Sequence, residues 1–378
     1  MVGLMVTKQM GRGIVLACQG GGSHTAFTAG VLAELLANDD RDIRALSGTS
    51  GGAVCAFLAW SGLLIGGQKG RKVGVTRLER YWDQLQTHGV METLQDAILI
   101  NTLRGIGGLG FVPEFSPYLN IFEASREFQQ LIENSVQFDE IRIPSNAPRL
   151  LISAAEVRTG EFRIFRSHEI DEEPADEITS DVILDSAAVP TLFRAVHLGQ
   201  HLYWDGLFAQ NPPVRDLPDA ARGEGKDGLP PNELWIIMIN PMHQEEEPKR
   251  MDDIRDRRNE LAANISLQQE IFFIGKMNQL AGRNLLADEA KDKYHPIKVR
   301  AITMSDEVAA SLDYESKLSR NPSQIRLLME HGKDRARSFL HDLQSTDADE
   351  RTAILSRDIW GRVKDRNWTP LYPSGTEV

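Results

Sequence analysis

Residues 13–67 read GIVLACQGGGSHTAFTAGVLAELLANDDRDIRALSGTSGGAVCAFLAWSGLLIGG, and the alternation of apolar runs with glycine clusters in this stretch decides the fold. Ile14 to Cys18 is a short continuous apolar run flanked by glycine, the pattern of a strand buried on both faces. It leads into Gly20, Gly21 and Gly22, after which Phe27, Val31, Leu32, Leu35 and Leu36 recur at helical spacing. The polar residues 38–41 end that helix. Ile43 to Leu46 then reads as a second strand entering Ser47-Gly48-Thr49-Ser50-Gly51-Gly52, and the apolar window Ala53 to Gly67 follows as a buried helix. The order strand, glycine loop, helix, strand, serine turn, helix predicts a parallel, right-handed α/β arrangement. The apolar window is shorter than the roughly 20 residues needed to cross a bilayer, so no transmembrane segment is expected.

Further strands are expected at Leu150 to Ala155, Phe162 to Phe165, Leu234 to Ile239 and Ile297 to Met304, with a strand-like approach at His201 to Trp204. Residues 215–232, rich in Pro, Gly, Asp and Arg, read as a surface loop. Leu261, Ile265, Ile271, Phe272, Met277 and Leu280 suggest a long amphipathic helix, and more helices are expected to about Leu343. The stretch Ile98 to Phe115 reads either as a lid or membrane-touching loop or as core. Its Gly105 to Gly110 fits G-x-G-x-x-G by letters alone, without the strand and helix that a nucleotide site needs. With no repeat and no linker-like segment, one large α/β domain is favoured.

The whole chain has 378 residues, 41% apolar and 25% charged, which excludes wholesale disorder and a polytopic membrane protein. Its 42 Lys and Arg against 54 Asp and Glu give a net charge of −12, which argues against nucleic acid and against broad electrostatic binding to anionic lipid. Cys18 and Cys55 read as buried small hydrophobes in a reducing compartment. Met1 to Arg12 lacks the apolar stretch of a signal peptide. A cytoplasmic protein, peripheral at a membrane at most, is expected.

Gly48-Thr49-Ser50-Gly51-Gly52 matches G-x-S-x-G, in which small neighbours let the chain pinch between strand and helix and expose the serine hydroxyl at a helix N-terminus. A structural turn with Ser50 as helix cap is the plainer alternative. Gly20 to Gly22, at the carboxyl edge of the same sheet, would let backbone N–H groups approach an oxyanion closely; a tight turn and a phosphate loop are the alternatives. A serine nucleophile needs a base. His197, His201, His243 and His295 follow Ser50 without a motif that singles one out, whereas Asp205-Gly206 closes the strand-like approach and precedes Asn211-Pro212-Pro213.

The glycine triplet, the serine elbow, Ser186-Ala187-Ala188-Val189-Pro190-Thr191-Leu192-Phe193 and Asp205-Gly206 with Asn211-Pro212 resemble, in that order, the signature blocks of patatin-like phospholipases. Residues 264–270 (NISLQQE) also look like bacterial members. The resemblance implies a three-layer α/β/α fold with a mainly parallel central sheet and extra C-terminal helices. Residues 13–215 would hold the catalytic core, and 216–378 would complete it within the same domain. It further implies a Ser-Asp dyad with Ser50 as nucleophile and Asp205 as general base, and an oxyanion hole from the amides of Gly20, Gly21, Gly22 and Gly51, supported by Gly48, Gly52 and Gly206. The expected substrate is a lipid or other acyl ester, with transient apolar membrane contact and neither metal nor organic cofactor. An acyltransferase and a catalytically weak lipid-binding protein are the competing expectations. Two departures stand out. His24 and Thr25 occupy the places where the family has Arg or Lys and then Gly, and Leu207 follows Asp205-Gly206 where the family has Gly or Ala. His24 is expected to replace the basic residue in part, more strongly when protonated.

Overall fold

The computed structural model describes residues 13–86, 118, 124–170, 172–190, 193–221, 231–242, 244, 247–291, 294–313 and 315–345. The Ile98 to Phe115 stretch and His243 lie outside them. Eight strands form one sheet: β1 (Ile14–Cys18), β2 (Ile43–Gly48), β3 (Arg149–Glu156), β4 (Phe162–Arg166), β5 (Val196–Leu198), β6 (His201–Asp205), β7 (Glu233–Met238) and β8 (Lys298–Thr303). The helices are α1 (Ala26–Asn38), α2 (Gly51–Leu63), α3 (Gly67–Leu85), α4 (Ala124–Ser135), α5 (Ser180–Ala187), α6 (Leu217–Ala220), α7 (Met251–Gly282), α8 (Asp288–Lys291), α9 (Asp306–Ala310) and α10 (Pro322–Asp342).

β3, β2, β1, β7 and β8 pair in parallel in that order, and β4, β5 and β6 join antiparallel. Both faces of the parallel part are covered, which is why its strands are apolar without alternation. Leu16, Leu46, Ile152 and Ile237 pack under α1, α2 and α10, while Val15, Ala17, Ala45, Leu234 and Ile236 pack under α6 and α7. The result is the expected three-layer α/β/α arrangement. α2 is buried along nearly its whole length, and Trp60, fully enclosed, donates its indole N–H to the Pro148 carbonyl at 2.6 Å. Burying each large apolar side chain of this kind contributes roughly 1.5–3 kcal/mol.

Two local expectations change. Residues 217–220, within the expected surface loop, form α6, and Leu217 is wholly buried in the second core. On α7 the packed face is Ala263, Leu267, Ile271 and Ile274, leaving Leu261 and Ile265 about half exposed. That face also carries buried Asn264 and Glu270, so apolar periodicity alone points to the wrong side of the helix.

The edge pairing of β3 is what positions the site. β4 occupies one edge along Leu151 to Ala155, so the other edge is shared: β2 pairs with it up to Gly48 opposite Ile152, and β6 arrives from the other direction with Asp205 opposite Ala154. β2 and β6 therefore meet end to end on one edge. The turn leaving β2 and the end of β6 are brought together although 155 residues separate Ser50 from Asp205.

Candidate active site

Ser50 joins β2 to α2 with φ 56° and ψ −132°, a left-handed conformation that is strained for any residue with a Cβ. The strain is held by its surroundings. The Ser50 N–H donates to both the carbonyl (3.1 Å) and the hydroxyl (3.0 Å) of Ser186, and the Thr49 hydroxyl donates to the Gln210 carbonyl at 2.6 Å. Glycine is required at Gly52, where a Cβ would lie 2.3 Å from the Cys18 carbonyl oxygen, and at Gly20, where it would lie 2.8 Å from the Ser50 Cβ. Gly48 and Gly206 likewise lie against backbone, that of Gly52 and Ser153 respectively, and Gly51 packs on the Thr25 hydroxyl. The turn thus closes onto the end of β1 only because these residues are bare.

Asp205 is 1% exposed. Its N–H donates to the Ala188 carbonyl at 3.0 Å, so the segment 186–188 clasps both Ser50 and Asp205. Oδ1 accepts the Leu207 N–H at 2.8 Å, whereas buried Oδ2 has no hydrogen-bond partner among the described residues. Burial pushes the carboxyl up to about 7, against the Leu207 N–H and the nearby Ser50 hydroxyl, which favour the charged form. Ser50 and Asp205 line the same cavity, with no hydrogen bond of ordinary geometry from the Ser50 hydroxyl to Oδ2. Catalytic contacts are often long before substrate binds.

The glycine loop differs from expectation in one respect. The Gly20 N–H donates to the Asn211 Oδ1 at 2.7 Å, so it ties the loop down rather than pointing to a ligand. The Gly21, Gly22 and Gly51 amides have no acceptor among the described residues. Gly51 opens α2, where the helix dipole favours negative charge. Asn211 is itself fixed, donating its side-chain N–H to the Ala263 carbonyl at 3.3 Å and its backbone N–H to the Ser266 hydroxyl at 3.2 Å. The neighbouring loop hangs on Glu270, which accepts from Gln210 Nε2 (2.6 Å), Val214 N–H (2.7 Å) and Arg215 N–H (2.9 Å). Gln19 completes the frame, accepting the Ile239 and Asn240 N–H groups at 2.9 Å each. The NISLQQE segment of α7 is therefore the scaffold of the Asp205 loop. Nothing about residue type alone would have marked Asn211, Gln19 or Glu270 as site supports.

A cavity of about 720 Å³ opens at Ser50 and Asp205, also lined by Gly20 to Gly22, Gly51, Trp82, Leu85, Phe128, Val189, Phe193, Asn240, Lys317 and Arg320. No histidine lines it among the described residues; His197, His201 and His295 are exposed at the surface. His24 is buried behind the glycine loop, its Nε2 paired with the Ser316 hydroxyl at 2.7 Å. Burial, and then the Lys317 charge, lower it to about 3. It is neutral at ordinary pH and cannot stand in for the family's basic residue. Cys18 and Cys55 are free thiols pushed up by burial. Among the described residues no cluster of His, Cys, Asp and Glu could hold a metal, and no helix is long and apolar enough to cross a membrane.

No curated protein matches the chain. Among solved structures it is similar to VipD from Legionella pneumophila (12% identity, TM-score 0.39, covering 88% of this chain and 67% of that one). It is similar also to the type III effector protein ExoU (14%, 0.33, 86% and 52%), and to the ExoU-SpcU complex from the type III secretion system of Pseudomonas aeruginosa (13%, 0.30, 94% and 59%). The chain thus spans between about half and two thirds of those chains. The family profile of patatin-like phospholipases matches residues 16–218, from β1 through the Asp205 loop. With that match over more than half of its length, the chain belongs to the patatin-like phospholipase family.

Proposed function

We propose that the protein cleaves acyl esters of lipids with a Ser50-Asp205 dyad. The observation that carries this reading is the buried, unpartnered Asp205 Oδ2 beside the hydroxyl of a strained elbow serine, in a cavity whose described lining contains no histidine. Ser50 Oγ attacks the ester carbonyl as its proton passes to Asp205. The tetrahedral oxyanion is held by the Gly21, Gly22 and Gly51 amides, which are donors fixed before the reaction begins. The intermediate collapses, the C–O bond breaks, and Asp205 returns the proton to the departing alcohol. Water, deprotonated by Asp205, then releases the acyl group and restores Ser50. A carboxyl raised to about 7 is a far better base than one near 4, and burial is what raises it. The apolar walls at Trp82, Leu85, Phe128, Val189 and Phe193 suit an acyl chain.

The test is hydrolysis of a phospholipid and of p-nitrophenyl esters by wild type, Ser50→Ala and Asp205→Asn of equal folded content. Both variants are expected to lose at least about a thousandfold in kcat. Activity surviving Ser50→Ala rejects the assignment of the nucleophile. Activity surviving Asp205→Asn rejects that of the base.

A further inference from the structure

Three glycines in a row bring no side chains with which to hold a loop, so the conformation of Gly20 to Gly22 is set from outside. Part of that support comes from the helical turn Glu315–Leu318, which lies beyond the family match over residues 16–218. His24, just after the loop, pairs through Nε2 with the Ser316 hydroxyl at 2.7 Å. A Cβ on Gly22 would lie 2.3 Å from the Lys317 carbonyl oxygen, and one on Gly21 would lie 3.9 Å from Lys317 Cε. The backbone and stem of Lys317 therefore pack directly on the loop.

The Lys317 head group acts on the loop through Asn240. Nζ donates to Asn240 Oδ1 at 2.8 Å, the Asn240 N–H donates to Gln19 Oε1 at 2.9 Å, and the Asn240 side-chain amide donates to the Gly20 carbonyl at 3.4 Å. The ammonium is itself compensated: Asp256, Glu260 and Asp313 line the small space beside it, and the charges of Glu260 and Asp256 favour its charged form. An ammonium only donates, so it selects the face of the Asn240 amide. The oxygen turns to Lys317, which leaves the NH2 for Gly20. Covalent geometry carries the effect one bond further. The Gly20–Gly21 peptide is trans, so the Gly20 carbonyl and the Gly21 N–H share one plane and point in opposite directions. Holding that carbonyl on Asn240 fixes the direction of the Gly21 N–H, which has no acceptor among the described residues.

We propose that Lys317 is a positioning residue for ester hydrolysis: through Asn240 it aims the Gly21 N–H at the oxyanion. The assignment rests on the Ser50-Asp205 reading for where the oxyanion forms, and its test separates the two. The full-length protein is titrated with a long-chain alkyl trifluoromethyl ketone and with the matching methyl ketone. The first is captured by an active serine: Ser50 Oγ bonds to the carbonyl carbon, the π pair moves to oxygen, and the hydroxyl proton passes to Asp205. The second binds without adding.

Wild type is expected to bind the trifluoromethyl ketone at least about a hundredfold more tightly than the methyl ketone, and Ser50→Ala to lose that preference. Lys317→Met is expected to bind the trifluoromethyl ketone about ten- to a hundredfold more weakly than wild type does, with methyl ketone affinity kept within about threefold. Its kcat on a p-nitrophenyl ester should fall by a similar factor at unchanged KM. Asn240→Ala, which leaves the ammonium among its carboxylates, should do the same and decides the matter if Lys317→Met lacks wild-type folded content. The double variant should lose no more than the larger single loss, because the two residues act in series. A trifluoromethyl ketone preference unchanged in either single variant, or losses that multiply in the double variant, overturns the proposal. So does an equal loss for both ketones, which marks a general packing role. No preference in wild type rejects the Ser50-Asp205 reading and this proposal with it, whereas a preference kept by wild type and by Lys317→Met alike rejects the positioning role alone.

Discussion

Asp185 presents a buried carboxyl that the proposed chemistry does not use, and it makes stability depend on pH in a calculable way. It lies on α5 wholly enclosed, with neither oxygen hydrogen-bonded among the described residues. Burial, and then the charge of Asp181 one turn earlier, raise it from 3.8 to about 8. In the unfolded chain the group ionises near its ordinary value of about 3.9, so the folded state holds this proton more tightly. The sign follows: its contribution to stability is fully present below about pH 4 and is lost as pH rises through about 8. Integrated between about pH 5 and pH 8, the loss is on the order of 3 kcal/mol. Asp185→Asn keeps the shape and removes the ionisation. Urea unfolding followed by tryptophan fluorescence at about pH 5 and pH 8 reads the difference. Wild type should lose on the order of 3 kcal/mol more than the variant across that interval, and the variant should be the more stable protein at the upper end. Parallel losses in the two proteins would refute the burial argument.

Two further outcomes follow from the site. If Asp205 is the base, kcat/KM should climb about tenfold per pH unit below about 7 and level off above it, because only the ionised carboxyl accepts the Ser50 proton; a profile flat from about pH 5 to pH 8 would contradict this. Asn211→Ala should lower kcat by about ten- to a hundredfold with little change in KM, since it releases the Gly20 amide that fixes the loop without touching the cavity walls. Steady-state kinetics on a p-nitrophenyl ester separate the two, and a change confined to KM would show that Asn211 does not position the loop.

The stretch from β1 through α2 is legible because every local signal agrees: apolar runs of strand length, glycine where backbones touch, and a helix that is apolar all round. Ser50 and Asp205 are legible for a different reason. They sit in short motifs whose order matches a known family, although the pairing of β2 and β6 along one edge of β3 is a long-range fact that no window of sequence carries. What remained hidden is of that long-range kind. Asn211 reads as a loop residue until its Oδ1 is seen to hold Gly20. Lys317 reads as one charge in a polar turn until that turn packs on the glycine loop. His24 invites comparison with the basic residue it replaces, but burial beside Ser316 and Lys317 removes its charge. The packed face of α7 is masked by Asn264 and Glu270, buried polar residues whose partners come from elsewhere in the chain.

The central claim is that Ser50 is an activated nucleophile and Asp205 its base. A fluorophosphonate ester, which reacts covalently with such serines, followed by mass spectrometry of the labelled peptides, tests it most directly. The predicted result is one phosphonyl group per wild-type chain, on the peptide containing Ser50, absent in Ser50→Ala and formed at least about a hundredfold more slowly in Asp205→Asn. Labelling at another residue, or an unchanged rate in Asp205→Asn, would contradict it.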